Sequence, residues 1–220
     1  MPFGVDEAGK GPVLGSMFAA AVWVEDEDLL PDGIADSKRL TPTRRETLAE
    51  RIRSSERIAV GVAEITPERI DDPHTDMNSL TVEAHAGSIE RALSDVADEA
   101  TTPPMGLCDA CDTDADRFAR RVAEACDLGI VLDAEHGADE DSRVVGAASV
   151  IAKVERDAHV AALSTKYGEI GSGYPSDPTT RTFLEEYVAN EAELPPCART
   201  SWSTCADVLE TAGQRSLGEF

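Results

Sequence analysis

The spacing of apolar and polar residues changes period several times along the chain, and each change marks an element. Residues 3–7 and Val13 to Val24 are apolar runs separated by Gly9-Lys10-Gly11-Pro12, which predicts two strands joined as a hairpin by a glycine turn. Thr41 or Thr43, beside Pro42, opens a helix to about Ser54 with Leu48 and Ile52 facing inward. Alternation at Ile58, Val60 and Val62 predicts a third strand within Arg57 to Ile65, and a short helical turn follows at Pro67–Ile70. Asn78 or Ser79 caps a long helix to about Ala100, with Leu80, His85, Ile89, Ala92, Leu93 and Val96 as its inner residues. Past Pro103-Pro104, Met105 to Asp109 is a short apolar strand ending in an acid. Thr113 or Asp114 starts a helix to about Cys126, and Ile130-Val131-Leu132 is a further strand ending at Asp133. Ser142 to about Tyr167 reads as a long helix, and Gly171 to Pro178 as a loop dense in turn formers. Thr179 to Asn190 and Trp202 to about Ala212 are the last two helices. A strand pair, then alternating helix and strand, then helices implies a mixed sheet with helices on its faces.

Charge complicates the choice of partner. The 220 residues carry 43 acidic and 20 basic side chains, a net charge of −23, and lysine occurs only at Lys10, Lys38, Lys153 and Lys166. Such a balance repels phosphate and taken alone argues against nucleic acid. A carboxylate-rich, lysine-poor surface also suits a cytoplasm at very high salt, where repulsion is screened within a few ångströms. The acids are scattered, Glu25-Asp26-Glu27-Asp28 being the longest run, which fits a solvated halophilic surface better than an acidic tail. No apolar run approaches the roughly 20 residues of a membrane span, and no signal-type segment precedes Asp6, so a cytoplasmic location is expected. The cysteines (Cys108, Cys111, Cys126, Cys197, Cys205) are odd in number. Cys108-x-x-Cys111 lacks a second pair at zinc spacing, so they read as buried or free thiols.

The chemistry lies where acids fall at strand ends. Asp6 and Glu7 close the first strand, Asp109 closes the Met105 strand, and Asp139 stands just before the long helix. Charges at the end of a buried strand need a partner. For the Asp6–Glu7 pair taken alone, a tight hairpin with solvated acids is an equal alternative. If the two strands are neighbours, Asp6 and Asp109 project together, and four carboxylates that close cannot all stay ionised without cations. Two Mg²⁺ or Mn²⁺ ions roughly 4 Å apart would serve, the arrangement for in-line phosphodiester hydrolysis without a protein nucleophile. His136 could shuttle a proton or assist product release but on its own reads as a loop histidine, His85 and His159 read as structural, the i,i+4 relation of Lys153 with Asp157 suits plain helix pairing, and Trp202 reads as core.

At this point the chain resembles the ribonuclease HII family, archaeal type. The resemblance rests on Asp6-Glu7-Ala8-Gly9-Lys10-Gly11-Pro12, Asp36-Ser37-Lys38-Arg39-Leu40, Asp109, Ala147 to Asp157, and Gly171-Ser172-Gly173-Tyr174-Pro175-Ser176-Asp177, in the family's order and across nearly the whole chain. It implies an α/β fold, an RNase H-like mixed sheet flanked by helices with a C-terminal helical extension. Residues 1–170 would be the catalytic domain, 171–212 a helical region completing the substrate groove, and 213–220 a flexible tail. It further implies an endoribonuclease that cuts RNA in RNA–DNA hybrids and ribonucleotides embedded in duplex DNA, leaving 5′-phosphate and 3′-hydroxyl ends. Carried over by position, Asp6, Glu7, Asp109 and Asp139 would be catalytic, the first three as ligands of Mg²⁺ or Mn²⁺, two ions with substrate bound. Gly9, Lys10 and Gly11 would contact the ribonucleotide 2′-OH, Tyr174 would stack near the ribo–deoxyribo junction, and Ser37, Lys38 and Arg39 would hold phosphates. Two positions depart from the family pattern: Lys10 stands where Arg is usual, and Gly137 where Lys is usual beside Asp139.

The final seven residues, Gln214-Arg215-Ser216-Leu217-Gly218-Glu219-Phe220, have the Q-x-x-L-x-x-F form of a sliding-clamp peptide. Gln214 would enter a polar pocket, and Leu217 and Phe220 would form an apolar plug on one helical turn. The plain alternative is a frayed terminus. The expected assembly is a monomer acting on nucleic acid, with no membrane. The rival readings are a nuclease on plain or branched DNA, which a 2′-OH-free substrate separates, a non-catalytic hybrid- or clamp-binding module, which has no need of clustered acids, and a small-molecule phosphatase, which the loop segments do not suit.

Overall fold

The computed structural model describes residues 2–34, 40–97 and 102–217. These residues form two compact units. One takes the chain up to Ala8, then Phe18–Glu64 and Asp76–Arg156; the other takes Gly9–Met17, Ile65–Thr75 and the chain from Asp157 onward.

The first unit is built on a five-stranded sheet of β1 (Pro2–Ala8), β2 (Met17–Val24), β3 (Ile58–Ile65), β4 (Met105–Asp109) and β5 (Val131–Glu135), in the order β3-β2-β1-β4-β5. β1 pairs antiparallel with β2, Phe3 opposite Trp23 and Ala8 opposite Phe18. It pairs parallel with β4, Val5 beside Cys108, and β4 in turn pairs parallel with β5. Every residue of β2 is buried, because both faces of the sheet are covered. Ala20, Val22 and Val24 pack with α1 (Pro42–Arg53) and α6 (Arg143–Tyr167), while Phe3, Val5, Ala21 and Trp23 pack with α3 (Met77–Ala97) and α4 (Ala115–Ala125). The alternation of strand side chains thus assigns each residue of β1 to one helical layer. Gly4 permits the closest approach: a Cβ there would stand 2.4 Å from the backbone of Val144 and Val145.

The mixed sheet with flanking helices agrees with the sequence expectation, and boundaries differ for physical reasons. The second strand starts at Met17, not Val13. Val13 and Leu14 are apolar because they belong to the core of the other unit, with Ile170, Leu184 and Val188, and Leu14 bridges to Ala198. The long helix is capped by Asp76, whose carboxylate accepts from the N–H groups of Asn78 and Ser79 at 2.9 and 3.0 Å, rather than by either of those residues. Its expected end, residues 98–100, lies outside the described residues, as does the side chain of Val96. Thr41 and Asp114 cap α1 and α4 through hydrogen bonds from Arg44 and Arg117 N–H. β5 continues to Glu135, and a separate short helix, α5 (Ala138–Asp141), holds Asp139.

The second unit gathers the 9–17 segment, α2 (Pro67–Ile70), the last part of α6, α7 (Pro178–Glu191) and α8 (Ser203–Leu217). Tyr167, Phe183 and Tyr187 form a three-ring cluster, with centroids 5.9–6.2 Å apart. Trp202 lies just before α8, half-buried and packed against the core cluster of this unit. Cys108, Cys126, Cys197 and Cys205 are buried free thiols. Among the described residues no helix is long and apolar enough to cross a membrane.

Candidate active site

Sheet register decides which acids meet. Val5 pairs with Cys108, so one step further along both parallel strands stand Asp6 and Asp109. Alternation turns Asp6 towards α6 and Glu7 towards α3. Asp6 is 5% exposed and its Oδ1 accepts from the Glu7 N–H at 2.7 Å. Glu7 Oε2 lies 2.8 Å from His85 Nε2 on α3. Asp109 Oδ1 accepts from Ala138 N–H at 2.9 Å, tying the end of β4 to the start of α5. Gly137, the residue before, has φ +74°, a left-handed turn that glycine adopts without a Cβ clash. Asp139 is 2% exposed, with Ser149 Oγ 3.5 Å and Lys153 Nζ 3.8 Å from its Oδ2. Lys153 Nζ donates to Ser149 Oγ at 2.7 Å.

These carboxylates disturb one another. Burial pushes Asp6 far above the ordinary carboxyl range, and the charges of Glu7 and Asp109 add to it against the pull of Ser149 and Lys153. Burial likewise raises Asp109, assisted by Asp139 and Glu7 and opposed by the Ala138 and Gly137 N–H groups. A cation would relieve this repulsion, and carboxylate oxygens are the hard donors that Mg²⁺ and Mn²⁺ take. Among the described residues, no three His, Cys, Asp or Glu side chains already stand round one point at ligand distance. Glu7 and Asp109 are held by His85 and by the α5 backbone instead. The fit to a divalent cation therefore lies in donor type and charge, not in a preset cage.

Within its own unit the loop after β1 is gripped at three carbonyls by one side chain. Arg199 is fully buried, and its guanidinium donates to the carbonyls of Gly15 at 2.8 Å, Lys10 at 2.9 Å and Gly9 at 2.6 Å. Its Cζ stands 5.1 Å from the centre of the Trp202 ring, whose Nε1 donates to Gly11 O at 3.4 Å. Burial lowers the Arg199 pKa to about 10, against the opposing pull of Asp71. Asp71 accepts from both the N–H and the hydroxyl of Thr200 and of Ser201, at 2.6–2.9 Å. Partial burial would raise Asp71, but those four donors outweigh it and hold its carboxyl below the usual range. Tyr174, 37% exposed, lies in the same unit, with Gly11 close to its ring.

The model of the family described as Ribonuclease HII matches residues 3–205. The chain belongs to the ribonuclease HII family. It is 61% identical to the ribonuclease HII of Haloarcula marismortui over 220 residues, the full length of both chains. Among solved structures, the ribonuclease H2 of Pyrococcus horikoshii OT3 superposes with a TM-score of 0.85 at 36% identity, covering 97% of this chain and 99% of that one. A ribonuclease HII of Archaeoglobus fulgidus, solved in complex with PCNA, superposes with a TM-score of 0.81 at 39% identity, covering 94% and 96%. The chain is thus a type 2 ribonuclease H, a hydrolase with the RNase H-like fold.

Of the residues that the ribonuclease HII resemblance singled out, Asp6, Glu7, Asp109 and Asp139 all fall within the first unit. Asp6, two residues before the end of β1, and Asp109, the last residue of β4, lie on adjacent strands, Glu7 turns to the opposite face, and Asp139 is carried by α5. Gly9, Lys10, Gly11 and Tyr174 fall within the second unit. Ser37, Lys38 and Arg39 lie outside the described residues. Gln214 is exposed, with its Nε2 3.2 Å from Glu210 Oε1, while Phe220 and the side chain of Leu217 lie outside the described residues. His136 is exposed with Nδ1 3.1 Å from Ala110 O, and His159 Nε2 accepts from Ser16 N–H at 3.2 Å.

Four residues escaped the sequence reading. The contact of His85 with Glu7 is invisible as a pattern, because an inner helix position predicts burial and nothing more. Lys153 reaches Ser149 one turn back on α6 and also stands 3.8 Å from Asp139 Oδ2 on α5, a contact that helical spacing does not show. Arg199 and Asp71 act on backbone groups and on Thr200 and Ser201, which form no recognised motif. A buried arginine beside a tryptophan in Arg199-Thr200-Ser201-Trp202 is the one signal that could have raised the first of them.

Proposed function

We propose that the chain hydrolyses the RNA strand of RNA–DNA hybrids, and ribonucleotides embedded in duplex DNA, with divalent cations held by Asp6, Glu7 and Asp109 and with Asp139 assisting. The single observation that carries this reading is the register that sets Asp6 and Asp109 on adjacent parallel strands, where burial and mutual charge make them costly without a cation. Membership of the ribonuclease HII family supports the substrate. When bound, Mg²⁺ or Mn²⁺, two ions with substrate present, would supply positive charge at the scissile phosphate and at the departing oxygen. Asp6, Glu7 and Asp109 would fix the position of that charge, and Lys153 would balance the buried Asp139. Water attacks phosphorus and the bond to the 3′ oxygen breaks, which leaves a 3′-hydroxyl and a 5′-phosphate. Backbone groups of Gly9, Lys10 and Gly11 would read the 2′-OH, the group that separates RNA from DNA. Tyr174 would stack beside the ribo–deoxyribo junction, and Ser37, Lys38 and Arg39 would hold phosphates. The test is cleavage of a duplex with one ribonucleotide against its all-deoxy counterpart, with Mg²⁺, Mn²⁺ or chelator, at low and high KCl. Nicking at the ribonucleotide alone, and only with metal, is the expected result; cutting of the all-deoxy duplex would point to a DNA nuclease.

The reading extends to partner and medium. Gln214, Leu217 and Phe220 would dock on a sliding clamp as a monomer's tail, in support of which the Archaeoglobus fulgidus relative was solved with PCNA. Deleting residues 214–220 is expected to remove clamp binding, measured by surface plasmon resonance, and to leave cleavage in free solution intact. Unchanged clamp affinity would refute the tail's role. The net charge of −23 fits a halophilic cytoplasm, and a role in DNA replication and repair follows from the substrate. Raising KCl from about 0.1 to 2 M shortens the screening length from about 10 Å to under 3 Å. The thermal midpoint is therefore expected to climb steeply over that range; a flat profile would remove the halophile reading.

A further inference from the structure

A buried histidine on α3 faces Glu7 and has no part in the chemistry set out so far. His85 is wholly buried on α3, and its Nε2 is 2.8 Å from Glu7 Oε2. A carboxylate accepts, so Nε2 is the donor. The other ring nitrogen, Nδ1, is also buried and has no hydrogen-bond partner among the described residues. The ring is fixed on one side by an edge contact with Phe118, with centroids 5.1 Å apart and planes at 79°. Its own helix turn is tightened by the Ser88 hydroxyl, which donates to the His85 carbonyl at 2.8 Å.

The surroundings do not call for a histidine. Val82, Ala86, Ile89, Phe118 and Val122 form the apolar cluster on this face, and an apolar residue would pack there without stranding a polar atom. Among the described residues, the one polar contact that the ring makes is with Glu7. That contact pins one carboxylate oxygen and with it the rotamer, leaving Oε1 and the second lone pair of Oε2 for another partner. A ligand carboxylate held in this way loses less freedom when it takes a cation, and hydrogen-bond partners behind metal ligands typically govern affinity 10–100-fold.

We propose that His85 is a positioning residue, which holds the Glu7 carboxylate by Oε2 in the orientation that ligates the divalent cation. The proposal rests on the reading of Glu7 as a metal ligand. His85 acts through Glu7 and touches neither substrate nor cation.

The test uses the full chain as wild type, His85→Phe, His85→Gln and Glu7→Gln. Mn²⁺ is titrated calorimetrically without nucleic acid, the thermal midpoint is taken in chelator, and kcat and KM are measured on a single-ribonucleotide duplex. His85→Phe is expected to bind Mn²⁺ about 10–100-fold more weakly and to lose kcat, with KM within about twofold of wild type. Its midpoint in chelator should not fall, because the stranded Nδ1 is gone. His85→Gln retains an N–H donor and should recover most of the affinity, which a merely structural role would not predict. Wild-type Mn²⁺ affinity in His85→Phe, or a His85→Gln no better than His85→Phe, would overturn the proposal; if His85→Phe fails to fold, His85→Gln against wild type decides. Glu7→Gln separates the two failures. Wild-type Mn²⁺ binding in that variant overturns the metal role of Glu7 and this proposal with it, whereas loss there beside intact binding in His85→Phe overturns the positioning role alone.

Discussion

Asp6→Asn is expected to lower metal-dependent cleavage by at least roughly 10³-fold while leaving the fold intact. The rate estimate follows from what single preorganised electrostatic groups supply, about 10²–10³-fold, with a direct ligand expected at or above that range. The substitution keeps the size of the side chain and removes only its charge. Asp6 is 5% exposed and faces Ser149 and Lys153 of α6, with the charges of Glu7 and Asp109 beside it. Burial already favours its neutral form. An acid whose folded pKa is raised stabilises the fold at pH values below its ordinary pKa, and that contribution is lost as pH rises through the folded value. At neutral pH, below the folded value of about 8, the cation-free fold must take up a proton at Asp6 that the unfolded chain does not hold, which costs stability, and Asn removes that cost. The thermal midpoint in chelator should hold or rise as activity disappears. Retained nicking of a single-ribonucleotide duplex, or loss of activity together with collapse of the fold, would each contradict this account.

Arg199→Met is expected to destabilise the protein by roughly 3–5 kcal/mol, read by denaturant unfolding, which is the cost of breaking buried charged hydrogen bonds by removing one partner. Methionine fills much of the same space, so the loss falls on the contacts with Gly9, Lys10 and Gly15 and on the three carbonyls left without a donor. Arg199→Lys keeps the charge but not the rigid planar fork, and a single ammonium cannot serve three carbonyls in those directions. It should recover only a minor part of the stability. A loss below about 1 kcal/mol for Arg199→Met would show that the loop holds its shape by other means.

Much of the fold was legible because its signals are local. Asp6 and Glu7 end an apolar run, Asp109 ends another, and helix starts carry Thr41 and Asp114. The acids could be picked out for the same reason, since a charge closing a buried strand is anomalous wherever it occurs. What stayed hidden depends on partners remote in the chain. Val13 and Leu14 look like strand because they are apolar, yet their apolar neighbours are Ile170, Leu184 and Val188, which no period in the first thirty residues can reveal. Asp76 displaced Asn78 and Ser79 as a cap because three capping residues within four positions leave the start of a helix undetermined to within a turn. Arg199 reaches carbonyls 184–190 positions earlier, and a carbonyl has no side-chain identity to read. His85 was assigned correctly to the inner face of α3, but that face meets Glu7 only through the parity of β1.

The central claim is that acids from β1 and β4 share a divalent cation, and calorimetric titration of the wild-type protein and Asp109→Asn with Mn²⁺, at fixed high KCl and without nucleic acid, tests it most directly. The account predicts saturable binding by the wild type that is lost or weakened at least about tenfold in the variant, both proteins unfolding at similar temperatures in chelator. Equal Mn²⁺ binding by the two would contradict it.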